Sequence, residues 1–224
     1  LLTPDFSKFK GLSPEQFALD VLMRGLNAKV VCCGYDYRFG KGACAGATDL
    51  AGLLTPHGVA VEQIGAVLDD GLPVSSTRIR EALAIGDIGM ANRLLGRPFA
   101  IDFPVAHGRG LGRELGFPTA NQLIGEGYAQ LRFGVYATQV LIDGVAHTAV
   151  TNVGIKPTVG SDGVGAESYI LDWSGNLYNK PVETQFLSFL RPEQKFESLN
   201  ALKAAIRRDA DHARALAGDC PTAD

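Results

Sequence analysis

Around Arg97-Pro98 the sequence changes its local texture, and a different kind of fold is written on each side of that point. Upstream, helical and strand patterns alternate. Ser13-Pro14-Glu15-Gln16 reads as a capping box, with the Ser13 hydroxyl accepting from the third helical N–H and Pro14 presetting φ. Phe17, Val21 and Leu22 then recur at helical spacing, and Gly25 suits a C-terminal cap. Val30-Val31-Cys32-Cys33 reads as a short buried strand. A glycine-punctuated loop, a helix around 49–54 and a strand around 59–64 follow it. Ser75 or Ser76 caps a helix through Ile85, and Asp87 opens another that runs to Leu95. Strands alternating with helices imply a parallel α/β sheet.

Downstream, β-rich segments succeed one another with Gly and Pro between them: 99–106, 134–142, 146–153, 167–173 and 182–190. Asp143-Gly144 is a strong hairpin signal. Strands without intervening helices imply an antiparallel barrel or sandwich. A last helix starts at Ser198, with Leu199, Leu202, Ile206, Ala213 and Leu216 along one stripe. The expected domains are 1–97, α/β, and 98–224, all-β with a C-terminal helix.

Composition narrows the function classes. The chain is 46% apolar and 20% charged over 224 residues, so it can bury real cores and is not disordered by default. No apolar run approaches the ~18 residues that a membrane helix needs. A net charge of −3 argues against a bulk nucleic-acid binder, although local cations and backbone N–H groups can still hold an anionic ligand. Cys32, Cys33, Cys44 and Cys220 form no C-x-x-C pair and read as reduced thiols of a cytoplasmic protein, with Cys32 and Cys33 packed in a core. The chain opens Leu1-Leu2-Thr3, without Met or a signal-like segment, and reads as a fragment.

The densest motif is His107-Gly108-Arg109-Gly110-Leu111-Gly112-Arg113-Glu114-Leu115-Gly116-Phe117-Pro118-Thr119-Ala120-Asn121. Glycines at 108, 110 and 112 let a backbone press N–H groups against phosphate, where a Cβ would intrude. Arg109 and Arg113 add charge. Thr119 and Asn121, two apart, point to the same side of an extended segment, and their oxygens suit Mg²⁺ beside water and phosphate. A flexible glycine loop that merely ends in a turn is the alternative.

Gly116-Phe117-Pro118-Thr119-Ala120-Asn121 resembles the signature of riboflavin kinases. The resemblance continues through Gly134-Val135-Tyr136-Ala137, Asn152-Val153-Gly154-Ile155-Lys156-Pro157-Thr158, Glu167-Ser168-Tyr169-Ile170-Leu171-Asp172 and Leu190-Arg191-Pro192-Glu193, over residues 98 to about 216. It implies a small antiparallel barrel and ATP-dependent phosphorylation of riboflavin to FMN. In that reading Glu167 is the catalytic base and Thr119 and Asn121 hold Mg²⁺. Gly108, Gly110, Gly112 and Arg113, with Thr119 and Asn121, form the ATP site, and Arg191 contacts the flavin.

Upstream, Gly34-Tyr35-Asp36-Tyr37-Arg38-Phe39-Gly40 and Val74-Ser75-Ser76-Thr77-Arg78-Ile79-Arg80 resemble the FAD synthetase module of bifunctional bacterial enzymes, a Rossmann-like nucleotidyltransferase. The resemblance implies an adenylyltransferase nucleotide site at Gly34, Asp36, Phe39, Ser75, Ser76, Thr77 and Arg80. Read without it, Ser75-Ser76-Thr77 is a helix cap. The glycine–histidine phosphate loop of that module occurs nowhere in the chain, so this half is expected to lack an N-terminal segment and to be inactive as given. Riboflavin, FMN and ATP are the expected ligands, with no nucleic acid and no membrane. A flavin- or nucleotide-binding module without catalysis and a nucleic-acid-binding barrel are the competing readings.

Overall fold

Ser13 and Gln16 cap each other reciprocally: Ser13 N donates to Gln16 Oε1 at 2.9 Å and Gln16 N donates to Ser13 Oγ at 3.2 Å. The computed structural model describes residues 3, 5, 7, 9–108, 110–125, 127–158 and 161–218, the side chains at 111, 157, 158, 161 and 162 excepted. These fall into two units, Leu1–Val74 and Ser75–Asp224.

In the first unit the capped segment winds more widely than the α-helix expected. Gln16–Gly25 is a π-helix, and Leu26 N bonds back to Val21 O. Gly25 does not supply the left-handed residue after it; Asn27 does, at φ 50°. Strand β1 (Val30–Gly34), the short pair β2 (Arg38–Phe39) and β3 (Ala45–Gly46), helix α1 (Ala47–Leu54) and strand β4 (Ala60–Ile64) follow. A two-residue ribbon, β5 (Leu68–Asp69) and β6 (Leu72–Pro73), ends the unit. β1 and β4 pair in parallel, with Val30 opposite Ala60 and Gly34 opposite Ile64. Ala18, Phe39, Leu50, Leu54 and Val59 form the core. Of the two adjacent cysteines expected inside, only Cys33 is buried. Successive strand residues point to opposite faces, and Cys32 is exposed.

The second unit contains helices α2 (Ser76–Ile85) and α3 (Ile88–Leu95), then β7 (Phe99–Ala106), the short helix α4 (Leu111–Leu115) and β8 (Thr119–Ile124). Strands β9 (Gly134–Ile142), β10 (Val145–Thr158), β11 (Ser161–Ile170) and β12 (Pro181–Arg191) and helix α5 (Leu199–Gly218) complete it. The six strands close into an antiparallel barrel in the order β10-β11-β8-β7-β12-β9. Asp143 and Gly144, at φ 50° and 81°, make the primed turn between β9 and β10, the hand that strand twist favours.

Tyr136, Phe186, Ile101, Val153 and Ala166 fill the barrel interior, and Leu83 and Ile88 of α2 and α3 pack into the same cluster. The two helices before residue 97 therefore belong to the packing of the barrel, and the compact unit begins upstream of the change in texture. Gln122, 2% exposed, spans three strands: its amide donates to Phe103 O and Val182 O and accepts from Thr184 Oγ1. Buried polar groups satisfied in this way fix strand register as well as fill space. α5 packs on the outside of the barrel through Ala210 and Ala213, against Val135, Ala137 and Val150.

Candidate active site

The strand register assembles a row on the outer wall of the barrel. Glu167 on β11 stands opposite Asn152 on β10 and opposite Asn121 on β8. Thr119, opposite Tyr169, lies two residues before Asn121 and so on the same face. Their neighbours Ala166, Ser168 and Gln122 point inward and are 0%, 1% and 2% exposed, whereas Thr119, Asn121 and Glu167 are half-buried. The three residues read from the sequence as metal ligands and base are thus brought together. Lys156 Nζ lies 3.3 Å from Glu167 Oε2.

The glycine loop folds down onto this row. A Cβ on Gly108 would lie 2.7 Å from Asn121 Nδ2, and a Cβ on Gly112 would lie 2.5 Å from Phe117 O and 3.3 Å from Thr119 Oγ1. Only a residue without a side chain lets the backbone approach both polar groups so closely. Gly110 and Gly116, at φ 77° and 88°, bracket α4, which sequence patterning alone did not reveal. Arg109 lies outside the described residues.

Between this wall and α5 is a cleft of about 370 Å³. Phe117, Val150 and Tyr169 line it from the loop and strands, Phe196 from the segment after β12, and Leu202 and Ile206 from α5. Thr119, Asn152, Glu167 and Glu193 supply its polar lining. Glu193 Oε1 accepts from Asn152 Nδ2 at 3.1 Å, and a Cβ on Gly154 would meet Glu193 Oε1 at 2.4 Å. Arg191, expected as a flavin contact, also lines the cleft, but its guanidinium is bound to Asp209 of α5 with its shortest contact at 2.8 Å. Two register shifts between β12 and β9, flanking Ser188–Phe189, re-aim the chain just before it, as bulges do.

A second, smaller depression of about 180 Å³ shares Thr119 with the cleft and adds Arg113, Trp173 and Tyr178. At its edge the His107 ring stacks on Tyr178, with centroids 3.9 Å apart and planes at 20°.

Asn121 Nδ2 donates to Thr119 Oγ1 at 3.5 Å, so the two side chains share one face; the hydroxyl and the amide oxygen are hard, neutral ligands, and the cradle over them is one that a Cβ would fill. Among the described residues no group of three or more His, Cys, Asp or Glu could hold a metal. The donor set fits Mg²⁺ that keeps phosphate and water as its other ligands, and not a metal held by an all-protein cage.

Among the residues read as the adenylyltransferase site, Gly34 ends β1 with Asp36 Oδ1 3.3 Å from where its Cβ would stand. Phe39 is 6% exposed and packs on Tyr37 and Phe17, so its ring is used in the core. Ser75 caps α2, accepting from Arg78 N at 3.3 Å, and Ser76, Thr77 and Arg80 are exposed in its first turns. Gly34, Asp36 and Phe39 belong to the first unit and the other four to the second.

The Riboflavin kinase family model matches residues 95–217, and the FAD synthetase model matches 1–78. A bifunctional riboflavin kinase/FMN adenylyltransferase from Pseudomonas fluorescens is 42% identical over 211 residues, 94% of this chain and 68% of that protein. This chain belongs to the bifunctional riboflavin kinase/FMN adenylyltransferase family. The Escherichia coli K12 member is 36% identical over 212 residues, 94% of this chain and 67% of its own. A solved structure described as a macrolide-efflux protein from Streptococcus pneumoniae matches with a TM-score of 0.80 at 30% identity, over 93% of this chain and 67% of that one. No helix among the described residues of this family member is long and apolar enough to cross a membrane.

Several cleft residues were not assigned from the sequence. Leu202 and Ile206 fall by spacing on the apolar stripe of α5, yet they line the cleft. Asp209, 8% exposed, falls on that same apolar stripe, where a lone carboxylate signals a buried partner. Asn152, Lys156 and Glu193 lay inside the quoted motifs, but only the strand register reveals what they touch.

Proposed function

We propose that the chain transfers the γ-phosphoryl group of ATP to the 5′-hydroxyl of the ribityl chain of riboflavin, giving FMN and ADP. The observation that carries this reading is the side-by-side placement of Glu167 and Asn121 in register, with Thr119 on the same face, beside a cleft lined by both apolar and polar side chains. The apolar lining suits the flat tricyclic flavin, and Glu167 lies where the polar ribityl tail would reach. Glu167 accepts the hydroxyl proton as the oxygen forms its bond to phosphorus. The bond from phosphorus to the β–γ bridging oxygen breaks, and ADP leaves. Such transfers rest on positioning and charge neutralisation more than on covalent catalysis.

Thr119 and Asn121 would hold Mg²⁺, which would supply charge neutralisation on the phosphate oxygens. Gly108 and Gly112 bring backbone against the phosphates, Arg113 adds charge, and the depression beside Tyr178 and Trp173 takes the adenine end, because it shares Thr119 with the flavin cleft. Arg191 shapes the flavin end through its hold on Asp209. We place the reaction in the cytoplasm, in keeping with Cys32, Cys33 and Cys44 as free thiols.

Incubation with riboflavin, ATP and Mg²⁺, with FMN and FAD separated chromatographically, tests this. FMN is the expected product. FAD is not expected, because no glycine–histidine phosphate loop occurs in these residues. Tight flavin binding without FMN formation would mark a binding module instead.

A further inference from the structure

Glu167 stands on the outer face of its strand, and its side chain is 38% exposed. A strand carboxylate in that position is free to sample several rotamers in water. A base for proton transfer has to hold one geometry, because misplacement by about 1 Å costs on the order of 10²-fold in rate. Something beyond the backbone must therefore hold it, and none of the hydrogen bonds described for the site is made by the Glu167 carboxylate.

Lys156 fills that role in the geometry. Its side chain is 21% exposed, less than that of its partner, and its Nζ lies 3.3 Å from Glu167 Oε2. In register Lys156 lies opposite Gly163, four residues before Glu167 along β11, so the lysine has to run along the neighbouring strand to arrive. Gly165 makes that path. It lies between the two on the same outward face, and a Cβ there would stand 2.7 Å from Lys156 Cγ. The lysine stem thus lies in a groove that exists because position 165 has no side chain, and the groove aims its ammonium at the carboxylate. A surface ion pair between two freely rotating chains contributes little. A lysine confined by a glycine groove has already given up much of that freedom, so the pair holds the carboxylate at little further entropic cost.

We propose that Lys156 is a positioning residue for phosphoryl transfer: lying across Gly165, it fixes the Glu167 carboxylate for its role as base. This rests on the kinase reading above. It predicts that the effect of Lys156 is exerted through Glu167 and that perturbing the groove reproduces it.

The test is a double-mutant cycle on the full chain, reading kcat and KM for FMN formation together with riboflavin affinity by flavin fluorescence. Lys156→Met should lower kcat about 10-fold while leaving the riboflavin Kd within about 2-fold, and Lys156→Arg should restore most of the loss. Gly165→Ala, which alters no charge, should lower kcat similarly and add nothing to Lys156→Met. In a Glu167→Gln background, Lys156→Met should have no further effect, because the group it positions is gone. Multiplicative losses in that background would overturn the proposal and make Lys156 a direct phosphate contact, as would an unchanged kcat for Lys156→Met. Full turnover by Glu167→Gln alone would instead refute the assignment of the base, a separate failure.

Discussion

Arg191 and Asp209, which both line the cleft, join the end of β12 to the middle of α5. The Arg191 Nε donates to both carboxylate oxygens at 3.1 Å and its second terminal nitrogen donates to Oδ2 at 2.8 Å. The side chains are 21% and 10% exposed, so the pair is largely out of water and is held in the bidentate geometry that favours arginine over lysine. The guanidinium also lies 5.5 Å from the centre of the Phe196 ring, which lines the same cleft. The arginine expected to touch ligand is thus first a strut between β12, α5 and Phe196.

Asp209→Ala leaves the Arg191 charge half-buried and without its partner. Removing one member of a buried pair costs several kcal/mol, and the remaining exposure of Arg191 lowers this to about 2 kcal/mol. In a unit of this size that corresponds to a fall in Tm of roughly 4–8 °C. Riboflavin affinity should fall with it, because α5 contributes Leu202 and Ile206 to the cleft. Differential scanning calorimetry and flavin fluorescence read the two effects. An unchanged Tm would show that the pair does not hold the helix.

Glu167→Gln keeps the size of the side chain and removes its ability to accept a proton. Loss of a positioned base commonly costs about 10²–10⁴ in rate. FMN formation should therefore fall by that factor, while riboflavin and MgATP still bind with near-normal affinity. Steady-state kinetics with equilibrium flavin titration check it, and a variant turning over at the parental rate would remove Glu167 from the mechanism.

What the sequence made legible follows its local signals. The Ser13–Gln16 cap, the Asp143-Gly144 turn and the Asp87 cap of α3, where Met90 N donates to Asp87 Oδ1 at 2.9 Å, are each decided within four residues. Thr119 and Asn121 were readable as a same-face pair because strand period is local. What remained hidden was set by distant partners. The packing of α2 and α3 into the barrel core depends on contacts between segments far apart in the chain, whereas the barrel itself is within reach of the uninterrupted run of strands and the family resemblance. The π-helical winding of Gln16–Gly25 and the exposure of Cys32 break local expectation. Leu202 and Ile206 carry the same apolar signal whether they pack a core or line a cleft, so periodicity could not separate the two roles.

Gly112→Ala tests the cradle over Thr119 and Asn121. The added Cβ would stand 2.5 Å from Phe117 O, a backbone atom that cannot swing aside, and would press on Thr119 Oγ1. The loop must lift away from Thr119 and Asn121. KM for MgATP should rise by about 10-fold or more, with riboflavin affinity changed far less. Thr119→Ala should show the same selectivity and alter the Mg²⁺ dependence of the rate. Equal damage to flavin and nucleotide binding by both variants would mean that the loop serves the cleft as a whole.

Tyr136 gives the barrel a predicted response to alkali. It is 0% exposed, packs edge-on against Phe186 and Phe189, and its hydroxyl donates to Arg132 O. Burial pushes the phenol well above its ordinary range near 10, with the Arg132 charge opposing this in smaller measure. The unfolded chain therefore releases this proton near pH 10 while the folded one keeps it, so the unfolded state binds fewer protons there and stability falls as pH rises above about 10. Below pH 10 the contribution is fully present. Tyr136→Phe should cost about 1–2 kcal/mol at pH 8, because the Arg132 carbonyl loses its donor. It should also flatten the fall in stability between about pH 10 and 11.5, because phenylalanine has no proton to release. Urea unfolding at several pH values measures both, and equal alkaline slopes for the parent and the variant would show that Tyr136 is not the group responsible.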